Sequence, residues 1–135
     1  GCAVDHINFD FDTQEIPLKH VNQDSRDRFD ITLQNAQEFI TETKKSKATF
    51  VPVGVIQGWS PKSMAKSAKS LIKMGYSFLA LGGMAPLSTD KIELALTEVK
   101  EVLPTDKAVH IHLLGYGKIT ELERLNSFNI VSLDL

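Results

Sequence analysis

The chain has 135 residues, 42% hydrophobic and 24% charged, with eight Gly, five Pro and one Cys; this fits a globular domain or a segment of one and excludes a disordered tail, a collagen-like repeat and a disulfide-built scaffold. Fifteen Lys and Arg against seventeen Asp and Glu leave a formal charge of −2, so no global basic field points to nucleic acid or an acidic membrane. Cys2 alone makes neither an internal disulfide nor a Cys-rich zinc site, no apolar run approaches the roughly 18 residues of a membrane span, and no leader-like opening is seen, so the expectation is a cytoplasmic protein with no membrane partner.

In chain order, Gly1 to Phe9 carries a short apolar run, followed by a polar loop with Asp10, Asp12 and Glu15. From about Gln23 to Lys45 the spacing of Phe29, Leu33, Ala36 and Ile40 predicts a helix. Ala48 to Gln57 is β-branched and aromatic, and Val53 to Ile56 reads as a strand buried on both faces. Gly58-Trp59 turns the chain, and Ser60-Pro61 is a cap and first-turn pair for a helix carrying Met64, Ala68, Leu71 and Ile72, which Gly75 ends. Phe78 to Leu81 is the next strand; Ser88 caps a helix with Ile92, Leu96, Val99 and Leu103, stopped by Pro104. Ala108 to Leu114 is a strand, Ile119, Leu122 and Leu125 form a brief helical stripe, and Ile130 to Leu133 is a fifth strand. Five strands alternating with four helices predict an α/β fold with parallel strands, either part of a (β/α) barrel or a doubly wound sheet. Both ends of the chain read as strand interior, where domains usually start and stop in exposed polar stretches. The expectation is therefore one segment, residues 1–135, of a larger unit. Raw sheet edges on such a segment predict self-association.

Parallel α/β proteins gather functional groups beyond the carboxyl ends of their strands. Those positions hold Asp5 and His6, then Gln57-Gly58-Trp59, Gly82-Gly83-Met84, Gly115-Tyr116-Gly117-Lys118, and Asp134. Carboxylates, an amide and glycine turns on one rim suit a small flat ligand ringed by hydrogen bonds. Plainer readings stand beside this. Asp5 and Asp134 serve as caps, Gln57 bonds a neighbouring loop, and Gly82-Gly83 is an ordinary βα turn. Thr120 occupies the third glycine position of G-x-G-x-x-G after Gly115-x-Gly117, which argues against a dinucleotide site. His110 and His112 share a strand face, so they either line the sheet interior or form two ligands of a metal-dependent hydrolase. Lys44, Lys45 and Lys47, with Lys62, Lys66 and Lys69, read as solvated helix faces; phosphate contact by one cluster is the alternative.

Taken in order, Val53-Gly54-Val55-Ile56-Gln57-Gly58, Gly75-Tyr76, Leu81-Gly82-Gly83-Met84, Leu113-Leu114-Gly115-Tyr116-Gly117-Lys118 and Val131-Ser132-Leu133-Asp134 resemble the tRNA-guanine transglycosylase family. That family shows a Gly-x-x-Gln-Gly turn, a Gly-Gly-Leu turn, a Gly-x-Gly-Lys/Thr turn and an Asp nucleophile at similar spacing. Val4-Asp5-His6 resembles the paralogous branch that inserts 7-deazaguanines into DNA. The resemblance implies a partial (β/α)8 barrel and a pentosyltransferase that exchanges guanine in DNA, or in tRNA, for a 7-deazaguanine base. It implies Asp134 as the catalytic nucleophile, Asp5 as acceptor for the base's donor edge, and Gln57 and the Gly83 N–H as donors to its carbonyl. Gly58 and Gly82 belong to the same turns, and Met84, Leu114 and Gly115 would line the pocket near the 7-substituent. The family's zinc would be held outside this segment, leaving no cofactor within it. Trp59 stands where the family usually has a second glycine, at the pocket mouth or stacked on a base. A non-catalytic purine-binding or assembly module is the alternative to an enzyme, beside the metal-dependent hydrolase.

Overall fold

The computed structural model describes residues 2–4, 6, 11–83, 86–116, 119–128 and 130–133. Among them are three α-helices, α1 (Gln23–Lys45), α2 (Pro61–Met74) and α3 (Thr89–Val102), and four strands, β1 (Val53–Ile56), β2 (Phe78–Leu81), β3 (His110–Leu113) and β4 (Ile130–Leu133). The strands form one parallel sheet in the order β1-β2-β3-β4. Sequential order without a reversal leaves no switch-point crevice between the described strands, unlike the doubly wound alternative. Each helix packs on its neighbours in turn, α2 on α1 and α3, and α3 on the 3₁₀ helix Ile119–Phe128.

Local chemistry sets most of these boundaries. The Asn22 side chain accepts the Asp24 N–H at 2.8 Å to open α1. Ser60 and Ser63 form a reciprocal capping box at α2, with Pro61 in its first turn. Gly75 ends α2 at φ +111, a left-handed conformation that favours glycine. Ser88 caps α3 by accepting the Lys91 N–H, and α3 stops before Leu103-Pro104, because the residue preceding a proline disfavours helical backbone.

The sheet is buried on its helix-facing side, and on the other side Val55 and Ala80 are buried while His110 and His112 are half-buried. Ile56, Leu79, Leu81, Ile111 and Leu113 belong to the core with Met64, Leu71, Ile92, Leu96 and Val99 of the helices. A side chain at Gly54 would meet Leu71 and the Tyr76 ring at 3.1 Å, so this position also faces the helices. By strand alternation Val55, Ala80, His110 and His112 lie on the opposite face. The Phe78 and His110 rings meet there, 4.8 Å between centroids.

Four described strands and three α-helices differ in part from the five and four expected. Most of Gly1 to Phe9 lies outside the described residues. What is described pairs as an extension of the sheet: Cys2 bridges Val53 in parallel, and the Ala3 N–H donates to the Val53 carbonyl at 3.0 Å. The strand expected from Ala48 begins only at Val53 because Pro52 has no N–H for the ladder. The stripe at Ile119 to Leu125 folds as a 3₁₀ helix; Thr120, Asn126 and Ser127 are weak α-formers. That helix is tied to α3 by Arg124, whose guanidinium bonds the carboxylates of Asp90 and of Glu93, the latter at 2.7 Å. Both bonds raise its pKa. Among the described residues no helix is long and apolar enough to cross a membrane.

Tyr76, just beyond α2, is 3% exposed and donates its hydroxyl proton to the Ala36 carbonyl of α1 at 2.6 Å. Burial pushes its pKa up from 10.0 to about 12. Tyr76→Phe is expected to cost about 1–2 kcal/mol of stability in urea unfolding. Because the folded value is the higher one, the phenol's contribution is complete below pH 10 and fades as pH rises towards 12. Stability curves measured across that window should show this loss in the parent protein and lack it in the phenylalanine variant.

Candidate functional site at the carboxyl rim of the sheet

The register pairs Ile56 with Leu81 and Leu81 with Leu113, so the three strands end level. The ladder runs one residue further: the Gly82 N–H donates to the Ile56 carbonyl at 3.1 Å, and the Leu114 N–H to the Leu81 carbonyl at 3.2 Å. Gln57, Gly82 and Leu114 therefore stand side by side on one rim, on the sheet face away from the helices.

Gln57 is 1% exposed. A Cβ built on Gly82 would overlap its amide nitrogen and sit 3.1 Å from a Val55 methyl. The amide thus lies across the space that glycine leaves open. A buried amide has to keep its hydrogen bonds, so its orientation is fixed by surroundings rather than by solvent. Gly83 at φ +72 and Gly115 at φ +70 adopt left-handed backbone immediately beyond β2 and β3. Both are half-buried, as is Leu114.

The turn that delivers Gln57 is locked from below. A Cβ on Gly58 would collide with the Ser63 hydroxyl and approach the Met64 backbone nitrogen to 2.9 Å, so only glycine lets the chain pass so close to α2. The Ser63 hydroxyl accepts the N–H groups of Trp59 and Ser60, both at 2.9 Å, and donates to the Ser60 carbonyl. The preceding loop docks on the same turn: the Asp12 N–H donates to the Trp59 carbonyl at 2.9 Å, and a Glu15 carboxylate oxygen accepts the Lys62 N–H at 3.1 Å. That places a negative charge at the amino end of α2, where the helix dipole favours it. Across the rim, Tyr116 is 1% exposed with its hydroxyl 3.4 Å from that of Thr89, which joins the turn after β3 to the start of α3.

The structure brings together Gln57, Gly58, Gly82, Gly83, Leu114 and Gly115. Asp5, Met84 and Asp134 lie outside the described residues, as do Gly117 and Lys118. Trp59 turns towards α1, its ring 5.1 Å from that of Phe29. The sequence alone does not mark Ser63, Thr89 and Tyr116 as positioning groups. The Ser-x-x-Ser spacing from Ser60 carried the signal for Ser63; the Thr89–Tyr116 contact has no local signature. His110 and His112 are half-buried. Among the described residues no three His, Cys, Asp or Glu side chains gather as a metal site.

Fold and rim define the class first: an α/β protein whose parallel strands are wound in sequence and end in a buried amide and glycine turns. The family model described as queuine tRNA-ribosyltransferase matches residues 7–125. The chain is also 36% identical over 135 residues to a DNA-guanine transglycosylase of Salmonella montevideo, covering 99% of this chain and 32% of that protein. The chain belongs to the queuine tRNA-ribosyltransferase (tRNA-guanine transglycosylase) family, and it spans about a third of the length of this curated relative.

Proposed function

We propose that this chain forms the base-binding part of a (β/α)8-barrel transglycosylase that replaces guanine with a 7-deazaguanine in a polynucleotide, DNA in preference to tRNA. The observation that carries the reading is the Gln57 amide, buried at the strand ends and seated over Gly82. A guanine-like base presents a carbonyl on one edge and N–H donors on the other. The Gln57 amide and the Gly83 N–H donate to the carbonyl; Asp5 accepts from the ring N–H and exocyclic amine. Met84, Leu114 and Gly115 line the pocket near position 7, and Gly58 and Gly82 supply the room that the turns need. The choice of DNA rests on the relative named DNA-guanine transglycosylase.

In the reaction an Asp134 carboxylate oxygen attacks C1′ of the deoxyribose, and the C1′–N9 bond breaks as guanine leaves with its electron pair and takes up a proton. The incoming base then attacks C1′ through its own ring nitrogen, which releases its N–H proton to water as the C1′–O bond to Asp134 breaks and the carboxylate is freed. A carboxylate suits the oxocarbenium-like transition state of both steps, as in retaining glycosidases. The target guanine leaves its stack to reach the rim.

The test mixes the intact protein with guanine-containing duplex DNA and, separately, with tRNA, and reads a denaturation-resistant covalent adduct on a gel. An adduct with DNA alone is expected. An adduct with tRNA alone would move the substrate to RNA. Bound purine without an adduct on either polymer would favour a non-catalytic binding module.

A further inference from the structure

Beside the rim, α1 and α2 flank an open pocket of about 270 Å³ that the transfer chemistry does not use, lined among others by Arg26, Phe29, Asp30, Trp59 and Lys66. Two cations face one carboxylate, so the cavity carries a net positive charge. Arg26 is only partly satisfied: one terminal nitrogen donates to the Gln23 side-chain oxygen at 2.6 Å, while its Nε is buried with no hydrogen-bond partner. A buried donor left unpaired is costly, and an anionic oxygen would satisfy it. Trp59 lines this cavity and also an adjoining one of 390 Å³ that includes Phe11 and His20. It stands two residues beyond Gln57, which ties the cavity to the base-reading turn.

We propose that this cavity binds a nucleotide flanking the target guanine, its phosphodiester held by Arg26 and Lys66 and its base against Trp59. The proposal rests on the reading above that the substrate is a polynucleotide. A guanine drawn out of its stack leaves its neighbours locally single-stranded, and cations beside an aromatic platform are how proteins hold single strands. Such contacts grip backbone and base faces without reading sequence, so this subsite orients the strand while the rim selects the base.

The experiment measures binding of a short fluorescent single-stranded DNA to the intact protein by anisotropy across a range of KCl concentrations. In the Arg26→Gln, Lys66→Gln double variant, affinity should fall about 5- to 10-fold. The slope of log K against log salt should shrink by about 0.7, the share of one single-strand phosphate. Trp59→Ala should weaken binding about tenfold with the slope unchanged. Lys66→Gln alone, at an exposed position of α2, should show part of the slope change without disturbing the fold. Lys69→Gln, exposed on the same helix, controls for lost charge and should leave the slope as it is. An unchanged slope and a twofold or smaller loss of affinity in the double variant would overturn the subsite. A protein that forms the covalent adduct yet shows that unchanged slope loses the subsite and keeps the proposed function. One whose DNA binding depends on Arg26 and Lys66, but that forms no adduct, keeps the subsite and loses the proposed function.

Discussion

Gly82→Ala is expected to lower kcat/KM for base exchange by at least about 100-fold while costing only about 1–2 kcal/mol of stability. The backbone at Gly82 is not left-handed, so alanine meets no conformational penalty, and the whole effect comes from contact. The new methyl would occupy the position of the Gln57 amide and press on Val55 at 3.1 Å. Only the far end of the Gln57 side chain has to give way, which keeps the stability cost in the range of modest overpacking. On the proposed function, an amide displaced in this way no longer donates to the base carbonyl. Removing one preorganised donor of this kind typically costs 10²- to 10³-fold in rate, roughly 3–4 kcal/mol. Exchange kinetics and urea unfolding on the same preparation separate the two effects. Exchange within threefold of the parent protein would remove Gln57 from base recognition.

Asp134→Asn should reduce exchange by about 10⁴-fold or more and abolish the covalent adduct, with guanine binding changed less than threefold. The substitution keeps size and shape but replaces the proposed carboxylate nucleophile with a neutral amide that forms no glycosyl ester. Losses of this size follow removal of a covalent nucleophile in other enzymes. Adduct gels and equilibrium dialysis with guanine would be read together. An adduct that persists in the variant places the nucleophile elsewhere on the chain.

The features legible in the sequence were those set by local chemistry. Ser60-Pro61 announced the start of α2, Gly75 its end and Pro104 the end of α3, because each acts on its own backbone. The 3.6-residue spacing of Phe29, Leu33, Ala36 and Ile40 gave α1, whose observed bounds are Gln23 and Lys45. Parallel strands were legible from their alternation with helices, but strand order was not, since it is decided by pairing between distant segments. The same division holds at the site. Gln57 and Gly82 each stood out at a strand end, yet the need for glycine at position 82 appears only when the amide of another strand fills its space. The sequence leaves Trp59 at the pocket mouth or on a base; its packing on Phe29 depends on α1 crossing above the turn. Nothing in the spacing of Arg26, Trp59 and Lys66 brings them together before the chain folds.

Sequential winding also bears on how this chain acquires its structure. Every described parallel strand pair joins segments separated by only one helical crossover. The loop-closure entropy of the sheet is thus met in small, successive steps rather than through one distant return. Sequential winding thus keeps each strand pairing to the span of one crossover rather than of the whole chain. It also allows assembly during translation: once β1 and α2 have left the ribosome, β2 finds its partner already in place, and β3 and β4 follow in turn.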